Sequence, residues 1–140
     1  FRPNALAPQS VLWGRDNRGA LLRVIGGAGD PATRIENRLG EPAANPYLYF
    51  AAQIHAGLDG ISRGLVPPPA TDAPYDPGAE RLPASLADAL DALRADATLV
   101  QGFGGAFIDY FERAKRSEAQ RFSQADDILD FERREYFSRI

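Results

Sequence analysis

WGRDNRGALLRVIGGAGDPATRIENR, residues Trp13–Arg38, is the stretch on which the reading of the chain turns. Arg18 to Ile25 (RGALLRVI) alternates loosely and ends in branched residues, as a strand does. Thr33 to Leu39 (TRIENRL) reads as a second strand, neighbouring the first. Side chains on a strand alternate between faces, so Arg34, Glu36 and Arg38 share one face and Ile35, Asn37 and Leu39 the other. Arg18 and Arg23 are separated by an odd step, which would point them to opposite faces of a regular strand. For both to serve one site, Arg18 must lie just before the strand or beside a bulge. Between the strands, Gly26 to Pro31 (GGAGDP) has the composition of a turn. A glycine run after a strand can cradle phosphate, but no Gly-Lys-Ser/Thr follows and no helix, so a plain connector is expected.

A carboxylate flanked on its own face by two arginines is kept ionised. Hard divalent cations such as Mg²⁺ or Mn²⁺ take oxygen ligands of that type. The planar arginine fork suits bidentate capture of carboxylate or phosphate. The pattern therefore points to a place where a metal, phosphates and an acidic substrate meet. A plainer reading of the same residues is a cross-strand ladder of ion pairs on a solvated face, and on this stretch alone that ladder is favoured.

Outward from this stretch, Phe1 to Gln9 (FRPNALAPQ) reads as a loop and Val11 to Trp13 as a short strand. Asn45-Pro46 opens the clearest helix, with Asn as N-cap and Pro at the first helical position. Tyr47, Leu48, Ala51, Ile54, His55 and Leu58 form its apolar stripe, and Gly60 lies near its end. His55 is the only histidine, and a lone histidine on such a stripe is read as a packed residue rather than a catalytic one. Gly64 to Pro83 holds six of the 11 prolines and reads as a long irregular surface segment, a kind that is often functional. Ser85 with Asp88 three residues on resembles a capping box for a helix through about Ala95. Gln101 to Gly105 (QGFGG) is expected to link helices, followed by helices over roughly Phe107–Phe122 and Asp126–Phe137. Glu112 and Arg116 have the spacing of a surface ion pair on one helix.

At 140 residues the chain is about one domain's worth, and no repeat suggests a second, so residues 1–140 are expected to form a single segment. The net charge of −3 gives no electrostatic reason to expect nucleic acid or an anionic membrane as partner. No cysteine is present, which excludes thiol catalysis, disulfides and thiolate metal sites and suits a cytoplasmic protein. No run approaches the roughly 18 apolar residues of a membrane span. The chain opens on Phe1 and contains no methionine, so it is expected to be the C-terminal portion of something longer.

Taken in order, DNRGALLRV (Asp16–Val24), RIENR (Arg34–Arg38), EPAANPYLYFAAQIHAGLDGI (Glu41–Ile61), LPASLADALDAL (Leu82–Leu93) and FERREYF (Phe131–Phe137) resemble the C-terminal part of the glutamine synthetase catalytic domain. The likeness runs over nearly the whole chain in the family's order and spacing, although the family usually has Trp in place of Phe131. It implies an α+β fold, with antiparallel strands carrying the site followed by packed helices. It implies ATP-dependent ligation of the glutamate γ-carboxylate to ammonia or a primary amine through γ-glutamyl phosphate, with Mg²⁺ or Mn²⁺ as cofactor. Glutamate, the amine and ATP would be the small-molecule partners, in a homo-oligomer built as a double ring, with no nucleic acid and no membrane. With the rest of the active site upstream, the segment would be inactive alone.

By the same resemblance, Arg18 matches the arginine at the transferring phosphate, beside ATP and glutamate, and is the catalytic candidate. Arg23 matches an arginine that binds ATP phosphates, and Arg34 is a further candidate on the ATP side. Glu36 matches a metal ligand, and Arg38 the arginine that holds a glutamate carboxylate. Aligning Pro8 and Arg18 without a gap puts Leu6 where glutamine synthetases carry the flap glutamate that takes a proton from ammonium. Leucine cannot accept a proton or bind a cation, so Leu6 is an amine-pocket candidate of the kind that suits an organic amine, as in the γ-glutamylamide and γ-glutamylpolyamine ligases. Tyr75 falls near a tyrosine that some bacterial members adenylylate, but it is read here as a packing anchor. The rival reading from another class is a non-catalytic structural homologue.

Overall fold

The computed structural model describes residues 7–137, and Leu6 lies outside them. Among the described residues, three short strands precede five helices: β1 Trp13–Arg15, β2 Leu22–Ile25, β3 Arg34–Asn37, then α1 Pro46–Ser62, α2 Leu86–Ala95, α3 Ala97–Phe103, α4 Gly105–Ser123 and α5 Ile128–Tyr136. The chain divides into two compact units, Phe1–Glu41 with Val66–Leu82, and Pro42–Leu65 with Pro83–Ile140.

In the first unit the sheet order is β1-β2-β3. The pair carrying the arginines and the carboxylate, β2 and β3, is antiparallel as expected, with Arg23 directly opposite Glu36. Against the other edge of β2, β1 runs parallel, with Gly14 opposite Arg23, so the sheet is mixed. Parallel neighbours normally need a long crossover. Here residues 16–21 suffice, because β1 has three residues and the return distance is short. β2 and β3 begin and end inside the spans read from sequence because the flanking residues take up turns, whereas β1 runs over Trp13–Arg15 rather than the expected Val11 to Trp13.

The proline-rich segment is tied along β1. Trp13 Nε1 donates to the Pro68 carbonyl at 2.6 Å, and Thr71 N to the Trp13 carbonyl at 2.9 Å. Further along, Val11 N donates to the Glu80 carbonyl and Leu82 N to the Gln9 carbonyl. Proline cannot supply a regular ladder of N–H donors, which is why this strap stays irregular while still covering the strand. Its closeness explains Gly14, where a Cβ would stand 2.8 Å from the Thr71 carbonyl oxygen.

In the second unit, Asn45 caps α1 by accepting from the Tyr47 and Leu48 amides, with Pro46 at the first turn. Ser85 Oγ accepts from the Asp88 amide and donates to its carboxylate, so the expected capping box opens α2. Where a link was expected, residues 97–103 form α3, capped by Asp96 and packed against α1. Its Gly102 is a packing glycine: a Cβ there would stand 2.6 Å from the His55 ring. The breaker is Gly104, whose φ of 85° ends α3 and lets α4 start. Leu90 and Ile108 form the buried apolar centre of this unit, and α2 lies along α4 through ion pairs that link Arg94, Glu112, Arg116 and Asp91. Glu112 and Arg116 pair at 2.9 Å as their spacing indicated.

Candidate functional site

Local turn chemistry builds the site. Past β1 the chain turns at Asp16, whose φ of 48° lies in the left-handed region that Asp tolerates better than most residues. Asn17 then accepts from the Gly19 amide at 3.0 Å and donates to the Thr71 carbonyl at 3.2 Å, an Asx turn held by the proline strap. Arg18 sits in that turn, ahead of β2, which resolves the odd spacing between Arg18 and Arg23. Its side chain is exposed and enters none of the ion pairs among the described residues.

Arg23, Glu36 and Arg38 are brought together. Arg23 Nη1 donates to Glu36 Oε2 at 3.1 Å, and Arg38 Nη1 donates to Glu36 Oε1 at 3.3 Å. The second arm of Arg23 reaches the Asp16 carboxylate. These contacts are the ladder foreseen for a solvated face, but both guanidiniums are mostly covered, with side-chain exposures of 16% for Arg23 and 19% for Arg38. The hydrogen bond from Arg23, outweighing partial burial and aided by the charges of Arg38 and Arg23, holds the Glu36 carboxyl below its ordinary range. Hydrogen bonds to Asp16 and then Glu36 raise the Arg23 guanidinium in turn. Arg34 lies at the start of β3, exposed, with its Nη1 on the Ala32 carbonyl at 2.9 Å, outside the cluster.

A phosphate fits the arginine side of this cluster. Arg23 Nε is buried and has no hydrogen-bond partner among the described residues, a donor that an oxyanion would satisfy. Toward a divalent cation the same residues offer one ligand rather than a cage. Glu36 supplies oxygens of the right hardness, but no group of three acidic or histidine side chains converges among the described residues. A full coordination sphere would need ligands from elsewhere.

Asp16 was not singled out in the sequence, where nothing in the residue pattern pairs it with Arg23. The lone histidine behaves as expected. His55 packs edge-on to Phe103 with centroids 5.5 Å apart and lines a shallow groove of about 390 Å³ between α1 and α3. Tyr75 packs over Gly19: a Cβ there would come within 3.2 Å of its ring and 2.5 Å of Pro74. No helix among the described residues is long and apolar enough to cross a membrane.

A small mixed sheet brings the guanidiniums of Arg23 and Arg38 onto the Glu36 carboxylate, and helices follow it in the chain. Comparison narrows the class. The family model described as glutamine synthetase, catalytic domain, matches residues 1–136, and the chain belongs to that family. It is 45% identical to a gamma-glutamylanilide synthase of an Acinetobacter species, over 98% of this chain and 29% of that protein. It is 36% identical to a glutamine synthetase of Methanocaldococcus jannaschii, over 96% of this chain and 31% of that one. A gamma-glutamylethanolamide synthetase of Streptomyces coelicolor is 33% identical, over 100% of this chain and 30% of the relative. The solved structure of a GmaS/ADP complex superposes with a TM-score of 0.75 at 34% identity, over 96% of this chain and 32% of that one. The chain thus spans about a third of the length of these relatives and is homologous to glutamine synthetase-type ligases.

Proposed function

We propose that the whole protein to which this chain contributes joins the glutamate γ-carboxylate to ammonia or a primary amine at the expense of ATP. The observation that carries the reading is the Arg23–Glu36–Arg38 cluster on an antiparallel pair within a chain of the glutamine synthetase family. In the first step a γ-carboxylate oxygen attacks the γ-phosphorus, the bond to ADP breaks, and γ-glutamyl phosphate forms. In the second the amine nitrogen attacks the acyl carbon, and phosphate leaves while the nitrogen loses a proton. Charge spreads over the phosphoryl oxygens during transfer, so fixed cations stabilise it more than they stabilise the bound reactants.

Arg23 holds ATP phosphates through the Nε donor that has no partner among the described residues, with Arg34 further out on the same side. Arg18, which enters no ion pair among the described residues, is the guanidinium left for the transferring phosphoryl group and the adjacent glutamate. Arg38 holds a glutamate carboxylate. Glu36 supplies one ligand to Mg²⁺ or Mn²⁺, a cation that draws phosphate charge when bound. A cytoplasmic homo-oligomer is the matching assembly. Leu6 and the likeness to a gamma-glutamylanilide synthase favour an organic amine over ammonia as the second substrate.

The test uses the full-length protein with ATP, glutamate and Mg²⁺, following phosphate release with ammonia, methylamine, ethanolamine, a polyamine and aniline in turn. Fastest turnover with an organic amine supports a γ-glutamylamide ligase with Leu6 in the amine pocket. Fastest turnover with ammonia makes the protein a glutamine synthetase. Silence with every amine, under conditions where the protein is folded, replaces the proposal by a non-catalytic homologue.

A further inference from the structure

We infer that Asp16 is a positioning residue that keeps the Arg23 guanidinium from closing on Glu36. The inference rests on the reading of Arg23 and Glu36 as phosphate-binding and metal-ligating groups. Arg23 divides its two terminal nitrogens between carboxylates on opposite sides: Nη2 meets Asp16 and Nη1 meets Glu36. Asp16 is placed for this by backbone rather than by chance. Its amide donates to the Val24 carbonyl at 2.9 Å, which fixes it beside β2 one residue from Arg23, and its left-handed φ turns the chain there.

The contact is a poor candidate for holding the fold. The Asp16 side chain is 76% exposed, and ion pairs with so much water around one partner contribute little to stability. Its consequence is geometric and electrostatic. Among the described residues, the Asp16 and Glu36 carboxylates meet the guanidiniums of Arg23 and Arg38. Without the Asp16 charge, Glu36 is the anionic partner left to Arg23 among the described residues, and an arginine fork facing a carboxylate favours two parallel hydrogen bonds. Glu36 already accepts from Arg38 on its other oxygen. A second arm of Arg23 on Glu36 would occupy the lone pairs that a cation needs and would swing Nε away from the phosphate it serves. Asp16 thereby keeps two neighbouring groups available for two different ligands.

The experiment compares full-length wild type with Asp16→Asn, which keeps the side-chain shape and the tolerance for a left-handed φ while removing the charge. Mn²⁺ binding is measured by electron paramagnetic resonance and ADP binding by calorimetry at several Mn²⁺ concentrations. Loss of one charge-assisted contact predicts Mn²⁺ binding weaker by roughly tenfold, with the ADP deficit shrinking as Mn²⁺ is raised and the melting temperature unchanged. Wild-type binding of both ligands with equal Mn²⁺ affinity in the variant overturns the inference and leaves the proposed function standing. A fall in melting temperature with parallel loss of every activity overturns it in favour of a structural role. A wild type that binds neither Mn²⁺ nor ADP brings down the functional reading and the inference with it.

Discussion

Arg38 and Arg23 grip the same carboxylate from opposite oxygens, yet the proposed chemistry asks different things of them. If Arg38 holds glutamate, Arg38→Ala should raise the glutamate KM by roughly ten- to a hundredfold and the ATP KM far less, since a lost charge-assisted contact falls on the ligand that made it. Equal changes in both would remove the assignment. Glu36 titrates below the ordinary carboxylate range because Arg23 donates to it. Its folded value is depressed, so the ionised form persists as pH falls through that range, and its contribution is lost only below. Steps that need Glu36 charged should therefore survive mild acid in the wild type. Arg23→Gln should move that acid limb of the Mn²⁺-binding profile to higher pH, and an unmoved limb would deny the coupling. At this scale much was legible. The period-two pattern groups Arg34, Glu36 and Arg38, of which Glu36 and Arg38 meet while Arg34 stays outside the cluster, and parity asks Arg18 to lie before the strand or beside a bulge if it is to share a site with Arg23. Asp16 was not legible, because its partnership depends on a left-handed φ and a parallel neighbour that no residue pattern announces.

Elements that carry their own punctuation were read almost to the residue. Asn45-Pro46 and Ser85 with Asp88 are local capping chemistry, and α1 and α2 begin where those residues say. α3 was missed because its glycines serve different purposes: Gly102 makes room for His55, while Gly104 ends the helix, and composition does not distinguish them. The α4–α5 pair shows tertiary chemistry that sequence spacing hid. Glu118 is buried on α4, where Lys115 donates to it at 2.6 Å and the Tyr136 hydroxyl of α5 donates to it as well. Burial alone would raise the Glu118 carboxyl, but these hydrogen bonds prevail and lower it. Burial and the Glu118 contact push the Tyr136 phenol up. A depressed carboxylate stabilises above its unfolded value and loses that contribution as pH falls through the folded one. The α4–α5 contact should thus weaken in acid below the ordinary carboxylate range. Glu118→Gln should flatten the pH dependence of the denaturation midpoint there, and Tyr136→Phe should cost about 1 kcal/mol near neutral pH. A Glu118→Gln protein with the wild-type acid slope would place the acid sensitivity elsewhere.

Across the whole chain, the two units differ from self-sufficient domains in how little apolar surface they bury. Among the described residues, Pro8 and Ala20 are buried apolar residues of the first unit, and Leu90 and Ile108 of the second. α1 has no fully buried residue although it is apolar around most of its circumference, which is the character of a helix inside a larger core. Tyr47, Phe50, Ile54, Leu58 and Ile61 recur at three- and four-residue steps along it and are each more than half exposed. Matching stretches make up about a third of the length of the relatives, and on the proposed reading, in which the chain contributes to a larger catalytic domain, surface of this extent is expected. Hydrophobic burial scales with area removed from water, at about 25 cal/mol per Å², and a stripe left in water contributes nothing. The 140-residue chain by itself should therefore unfold with a shallow transition, bind a hydrophobic dye such as anilinonaphthalene sulfonate, and associate as its concentration rises. Replacing Phe50, Ile54 and Leu58 together by Gln should abolish dye binding and association in the isolated chain, because no core contact is lost with them. The same triple substitution in the full-length protein should lower its melting temperature by several degrees, because a stripe that is covered there turns each Gln into a buried polar group. An unaffected full-length protein would show that the stripe stays in water even in the complete molecule, and the apolar character of α1 would then have to be explained by something other than packing within its own domain.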